Sequence, residues 1–250
     1  PIKEIIIHTG QHYDKNMSHV FFDQMKLKKP KYTLQIKSRT HGGMTGQMIE
    51  EIEKILIKES PDILLIYGDT NSTLAAALAG SKLHIPIAHV ESGLRSFNRK
   101  MPEEINRIIS DNLSTFCFCP TNNAVKNLRD EGIISSENKI AENVGDIMLD
   151  VMNHFKNKIS PSPLIRKVIN KHPYCLATIH RAENTDSKKN LSEIFGALNT
   201  ISKTTPIILP LHPRTKKQLT HFKIFYENIT IIDPVSYSDI LYLLFNCELV

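Results

Sequence analysis

The chain has 250 residues, 41% hydrophobic and 23% charged, a balance that excludes a disordered tail, a collagen and a disulfide scaffold. The formal net charge of +5 is mild, and the clusters Lys26, Lys28, Lys29, Lys31 and Arg214, Lys216, Lys217 lack the interleaved aromatics of a nucleic-acid platform. No run of 18 apolar residues reads as a transmembrane helix, and residues 1–10 lack a signal peptide's pattern.

Short β-branched runs alternate with longer helical patterns along the chain. Strands are predicted at Glu4–Thr9, Asp62–Tyr67, Pro86–Val90, Thr115–Cys119, Lys139–Val144, Tyr174–Thr178, Pro206–Leu211 and Ile229–Ile232. The glycine-rich stretch His41-Gly42-Gly43-Met44-Thr45-Gly46 resembles a phosphate loop only superficially, because the spacing of a P-loop or a dinucleotide fingerprint is absent. A helix is predicted over Thr45–Lys58, where Met48, Ile49, Ile52, Ile55 and Leu56 recur with a 3.6-residue period. Pro102 opens another helix, with Ile105, Ile108 and Ile109 on one face. Ser236 with Asp239 reads as a capping box before the last helix. Strands alternating with helices imply parallel sheets covered on both faces.

The stretch 153–173 is polar, contains Pro161 and Pro163, and breaks this rhythm. It predicts a boundary near Ser160, giving an N-terminal Rossmann-like domain at 1–158 and a partial C-terminal one at 159–250. Cys117, Cys119 and Cys175 sit in strand-like runs and Cys247 ends a helical pattern, with no C-x-x-C spacing. Buried free thiols in a reducing cytoplasm are the expected reading.

In open α/β sheets, ligands bind beyond the carboxyl ends of the strands. Five predicted strands run into polar segments there: Gly10-Gln11-His12-Tyr13-Asp14, Gly68-Asp69-Thr70, Glu91-Ser92-Gly93-Leu94-Arg95, His180-Arg181-Ala182-Glu183-Asn184 and His212-Pro213-Arg214. Asp69 is either a helix cap or a site residue. Glu91 after an apolar strand is either a partly desolvated carboxylate fit for proton transfer or the salt-bridge partner of Arg95 or a neighbour. Glu103 and Glu104 favour the helix dipole, and Glu103 is spaced to pair with Arg107. His180 beside Arg181 fits a phosphate or a leaving group as well as a structural role, and Arg214 with Lys216 and Lys217 adds positive potential. No G-x-S-x-G elbow or H-E-x-x-H motif supports serine or zinc hydrolysis.

The strings TGQHYD (9–14), YGDTNST (67–73), HVESGLRSFNRKMPEEINR (89–107), TIHRAENTD (178–186) and PLHPRT (210–215) resemble the non-hydrolysing UDP-N-acetylglucosamine 2-epimerases. The 2-epimerases of UDP-2,3-diacetamido-glucuronic acid are the sister group, and these motifs do not separate the two. The resemblance implies a GT-B fold of two Rossmann-like domains with the sugar nucleotide in the cleft. It implies inversion at C2 through loss of the C2 proton and departure of UDP, then re-addition of UDP, with no nicotinamide and no metal. It implies that Asp69, Glu91 and Glu103 are the acid/base carboxylates and that His180 assists UDP departure. Arg181, His212, Arg95 and Arg214 become expected substrate contacts, and Gln11 and Gln47, with Arg181 and His212, resemble an activating second UDP-sugar site. The implied enzyme is a cytoplasmic homodimer that supplies surface-polysaccharide precursors and needs neither nucleic acid nor membrane.

Two family features are expected outside these 250 residues: the opening G-T-R-P-E-like loop and a D-S-G-G-x-x-E-E-like segment shortly beyond Val250. The chain therefore reads as a stretch incomplete at both ends, with the second domain incomplete, and this stretch alone is expected to be inactive. The competing readings are a hydrolysing 2-epimerase, a glycosyltransferase of the same fold, and a non-catalytic sugar-nucleotide-binding remnant.

Overall fold

Parallel strands need crossover connections, and helices supply those that lie among the described residues. The computed structural model describes residues 2–10, 22, 27–38, 40–134, 138–169, 173–180 and 182–250, with the side chains of residues 182 and 183 excepted. Two compact units result, Pro1–Leu149 and Asp150–Val250.

In the first unit, β1 (Ile7–His8) pairs with β2 (Tyr32–Thr33). Strands β3 (Leu64–Tyr67), β4 (Ile87–Val90), β5 (Phe116–Cys119) and β6 (Ile140–Asn143) form a four-stranded sheet in that order. All these pairs are parallel. The helices between them are α1 (His41–Glu59), α2 (Asn71–Lys82), α3 (Pro102–Leu113) and α4 (Asn122–Asp130); α5 (Ile147–Phe155) follows β6 and crosses the division between the units. The 3.6-residue stripe on α1 buries Met48, Ile52, Ile55 and Leu56 against Ala75 and Ala79 of α2 and against Leu34 and Ile36. A second cluster packs Cys117 and Cys119 of β5 against Ala124 and Leu128 of α4. The register pairs Ile66 with His89 and His89 with Cys117, so these three side chains share one face.

In the second unit, β7 (Cys175–Leu176), β8 (Ile207–Pro210) and β9 (Ile229–Ile232) form a parallel three-stranded sheet, and Cys175 also bridges to Leu249. The helices are α6 (Pro163–Val168), α7 (Ala182–Thr185), α8 (Lys188–Ile201), α9 (Pro213–Phe222) and α10 (Tyr237–Asn246). Leu191 and Phe195 of α8 and Leu219 of α9 pack on Ile207 and Leu209. On the other face Tyr174 is fully buried and its hydroxyl donates to Leu243 O at 2.7 Å.

Three local expectations are corrected. The glycine-rich stretch at His41 is the first turn of α1, because Thr40 caps it by accepting from Gly43 N at 3.2 Å. Ser236 caps α10 by accepting from Asp239 N at 3.2 Å, but the Asp239 carboxylate accepts from Ser162 N at 2.8 Å, which ties the start of α6 to α10. Strand β2 has no counterpart among the predicted strands, since two residues carry no periodicity. Among the described residues no helix is long and apolar enough to cross a membrane. All four cysteines are free, with Cys117 and Cys119 buried.

Candidate active site

The carboxyl end of β3 turns at Gly68, whose φ of +64° suits glycine, and delivers Asp69 ahead of α2. Asp69 is not the helix cap. Thr70 holds that position, and Thr73 Oγ1 accepts from Thr70 N at 3.2 Å while donating to Tyr67 O at 2.5 Å. The Asp69 carboxylate is left to pair with Arg107 of α3, and its backbone carbonyl accepts from Asn106 Nδ2 at 2.8 Å.

Strand β4 ends beside β3 and delivers Glu91 in a left-handed conformation, φ +70°, which is strained for a residue with a side chain. A Cβ added to Gly68 would meet Glu91 Oε2 at 3.6 Å, so the Glu91 carboxylate overlies the turn that carries Asp69. Burial pushes the Glu91 carboxyl above the usual range, the negative charges of Asp69 and Asp146 add to this, and His89 and Arg107 oppose it. The alternative pairing of Glu91 with Arg95 does not occur: Arg95 binds Asp111 and Glu131.

Pro102 occupies the first turn of α3, where its missing N–H costs nothing. Of the two glutamates that follow, Glu104 is buried and Glu103 is exposed. Glu104 accepts from Ser96 N at 2.9 Å, Ser96 Oγ at 3.0 Å and Phe97 N at 2.9 Å, and pairs with Arg107 at 3.3 Å. Burial works against its charge, but these hydrogen bonds outweigh it and hold the carboxyl below the usual range. Arg107 thus serves Glu104 and Asp69 rather than the i,i+4 partner Glu103.

Arg95 departs from the expected substrate contact. Its side chain is 1% exposed, and its guanidinium donates to Glu131 at 2.8 and 2.7 Å, to Asp111 Oδ2 at 2.7 Å and to Leu94 O at 2.7 Å. Asp111 is a hub that sequence reasoning missed: it also accepts from Ser92 Oγ at 2.5 Å and Gly93 N at 3.1 Å, and contacts His89 Nδ1 at 2.7 Å. Burial opposes its charge, yet His89, Ser92 and Arg95 keep its carboxyl below the usual range. No spacing rule links an aspartate in the last turn of α3 to a strand residue 22 positions earlier.

In the second unit, the segment after β7 presents His180, exposed, beside a 360 Å³ cavity lined by Thr178, Ile179, His180, Asn184 and Ile194. Asn184 Nδ2 donates to His180 O at 3.3 Å and steadies the loop. After β8, His212 caps α9 by accepting from Arg214 N at its Nδ1, 3.2 Å away. The Arg214 side chain pairs with Asp186 at 2.6 Å, a largely exposed contact of small energetic weight. Gln47 is exposed, and its Oε1 accepts from Lys37 N at 3.0 Å and Ser38 N at 3.1 Å, organising the loop before α1. Gln11 and Arg181 lie outside the described residues. Among the described residues no three His, Cys, Asp or Glu side chains gather as a metal site.

Asp69 and Glu91 are therefore brought together at neighbouring strand ends of the first unit, with Arg107 beside them, while His180, His212 and Arg214 occupy strand ends of the second. Two carboxylates at the carboxyl ends of adjacent parallel strands mark the candidate site of an α/β enzyme. The sequence pattern of the UDP-N-acetylglucosamine 2-epimerase family matches residues 1–250. The chain is 46% identical over 256 residues to a UDP-N-acetylglucosamine 2-epimerase of Methanococcus maripaludis, covering 99% of this chain and 70% of that one. It is 50% identical over 244 residues to the UDP-2,3-diacetamido-2,3-dideoxy-D-glucuronate 2-epimerase of Pseudomonas aeruginosa, covering 97% of this chain and 68% of that one. The crystal structure of the Methanocaldococcus jannaschii UDP-GlcNAc 2-epimerase in complex with UDP-GlcNAc and UDP is similar with a TM-score of 0.85 at 45% identity, covering 99% of this chain and 70% of that one. The chain belongs to the UDP-N-acetylglucosamine 2-epimerase family and has its GT-B-type α/β fold with parallel sheets.

Proposed function

We propose that the protein interconverts UDP-N-acetylglucosamine and UDP-N-acetylmannosamine without net hydrolysis. A carboxylate takes the C2 proton while the C1–O bond breaks and UDP leaves with the electron pair, which gives 2-acetamidoglucal. A UDP oxygen then attacks C1 and a carboxyl returns a proton to the opposite face of C2. Atoms and electrons balance with no oxidant or reductant, so the chemistry calls for no redox cofactor. Asp69, Glu91 and Glu103 are the proposed acid/base groups, His180 assists departure of UDP, and Arg181, His212 and Arg214 attract the diphosphate.

The observation that carries this reading is the placement of Glu91 over the Asp69 turn, with its carboxyl pushed up by burial. A carbon acid as weak as C2 needs a base whose proton affinity exceeds that of an ordinary glutamate, and Glu91 moves in that direction. The test is C2 deuterium exchange by Glu91→Gln and Asp69→Asn variants in D2O. A loss of about 10²-fold or more in each supports the roles, within the range for a positioned acid or base; exchange within a few-fold of the parent would overturn them.

A second reading, a UDP-2,3-diacetamido-glucuronate substrate, is supported by the 50% identity to the Pseudomonas aeruginosa enzyme. Four free cysteines fit the reducing cytoplasm proposed as its compartment. The homodimer, the polysaccharide role and an activating second UDP-sugar at Gln11, Gln47, Arg181 and His212 rest on the resemblance.

A further inference from the structure

We propose that His89 is a positioning residue for the acid/base pair: a buried imidazolium that ties the Asp69 turn and the Glu91 turn to Asp111. The inference rests on the proposed roles of Asp69 and Glu91.

His89 is fully buried in β4, where an apolar residue would satisfy packing alone. Its Nδ1 lies 2.7 Å from Asp111 Oδ1 and its Nε2 lies 2.8 Å from Gly68 O. A backbone carbonyl carries no proton and an ionised carboxylate carries none. A neutral imidazole would set a lone pair against a lone pair at one of the two contacts, so both nitrogens donate. The charges balance locally: His89 and Arg95 are positive, Asp111 and Glu131 negative, and Arg95 pairs with both carboxylates.

Both working turns hang on this cluster. Through His89, Asp111 holds Gly68, the residue before Asp69, and Gly68 N donates back to Val90 O at 3.0 Å. Through Ser92 Oγ and Gly93 N, Asp111 holds the two residues after Glu91. The strained backbone at Glu91 persists because these bonds overdetermine it. The imidazolium also faces Glu91 electrostatically. Asp69, Asp146, His89 and Arg107 are the charged neighbours of that carboxyl; the first two raise its proton affinity and the last two lower it. A neutral side chain at position 89 would loosen both turns and remove one of the two opposing charges.

The test has two arms. First, ¹⁵N NMR of the histidine-labelled protein at pH 7.5 should show His89 with both ring nitrogens protonated and both N–H groups protected from exchange. A neutral ring would overturn the proposal, whatever the enzyme's activity. Second, His89→Gln should lower kcat for C2 exchange about 10²-fold, the scale of a small misplacement of reacting groups, with KM little changed. The acid limb of its kcat/KM profile should move to higher pH. Ser92→Ala, which frees the Glu91 turn but keeps the imidazolium, should lower kcat with the acid limb unmoved. It stands in if His89→Gln does not fold. Unchanged kcat in the variants, or an unmoved acid limb in folded His89→Gln, would overturn the positioning role. Absence of C2 exchange in the parent would instead refute the reading of the site, and the NMR arm would still decide the state of His89.

Discussion

Gly93 N donates to Asp111 Oδ2 at 3.1 Å, joining the turn after β4 to the last turn of α3 across 18 residues. Gly93 has φ +79°, and a Cβ there would lie 2.4 Å from Ala124 O. The bond forms only because glycine lets the turn pass under the start of α4. Gly93→Ala should therefore destabilise the protein by at least the 1–3 kcal/mol of a strained backbone residue, and should reduce C2 exchange through displacement of Glu91. Chemical denaturation and exchange kinetics on one preparation check both; a variant with unchanged midpoint would contradict the packing described.

Adjacent glutamates on α3 should respond in opposite ways. Glu104 is buried and fixes Ser96 and Phe97, so Glu104→Ala, which leaves those donors unsatisfied, should cost about 1–3 kcal/mol of stability. Glu103 is exposed, so Glu103→Gln should leave the melting temperature nearly unchanged while depressing exchange. Thermal melts and turnover of the pair separate the two effects.

Acid should destabilise the protein. The carboxyls of Asp111 and Glu104 are held below their ordinary values, so their contribution is fully present above about pH 4, the range of unperturbed Asp and Glu. It is lost as pH falls through their depressed folded values. Glu91 runs the other way: its raised carboxyl favours the fold as it protonates, and its ionised form costs stability above the ordinary glutamate range. Glu50 and Glu59 are also held below the ordinary range, by Lys54 and by Lys31 with Tyr32, so depressed carboxyls outnumber the one raised at Glu91 and give net acid lability. Calorimetry from pH 7 to pH 3 should show a falling melting temperature, and Asp111→Asn should flatten that slope.

Thiol reactivity should divide by position. Burial pushes the Cys117 thiol up and the Cys119 thiol up to about 12, and both side chains are fully enclosed. Neither should react with an aromatic disulfide reagent until the first unit unfolds. Prompt labelling of either in the native protein, mapped by mass spectrometry, would contradict their burial.

Much of the fold was legible because a parallel α/β chain advertises itself: β9 spans Ile229–Ile232 as predicted, and the apolar stripe of α1 packs as its period requires. Strands β1 and β7 shrink to two residues because strand length depends on partners that local pattern does not contain. The sequence pattern starts α1 at Thr45, four residues late, because Gly42, Gly43 and Gly46 mimic a loop, while the deciding signal is the single cap at Thr40. The placement of Asp69 and Glu91 at strand ends is legible because each closely follows an apolar strand. His89 and Asp111 were not: a histidine inside an apolar strand reads as core, and its meaning depends on a partner in a distant helix. Arg95 was misplaced for the same reason, since an arginine beside a strand end looks like a ligand contact until Asp111 and Glu131 are found around it.

The most direct test is proton NMR of UDP-N-acetylglucosamine incubated in D2O with the full gene product. Deuterium at C2 together with the manno epimer, UDP still attached, is the expected result. Free N-acetylmannosamine would instead mark a hydrolysing enzyme. Absence of C2 exchange with both UDP-N-acetylglucosamine and UDP-2,3-diacetamido-glucuronate would contradict 2-epimerisation by this protein.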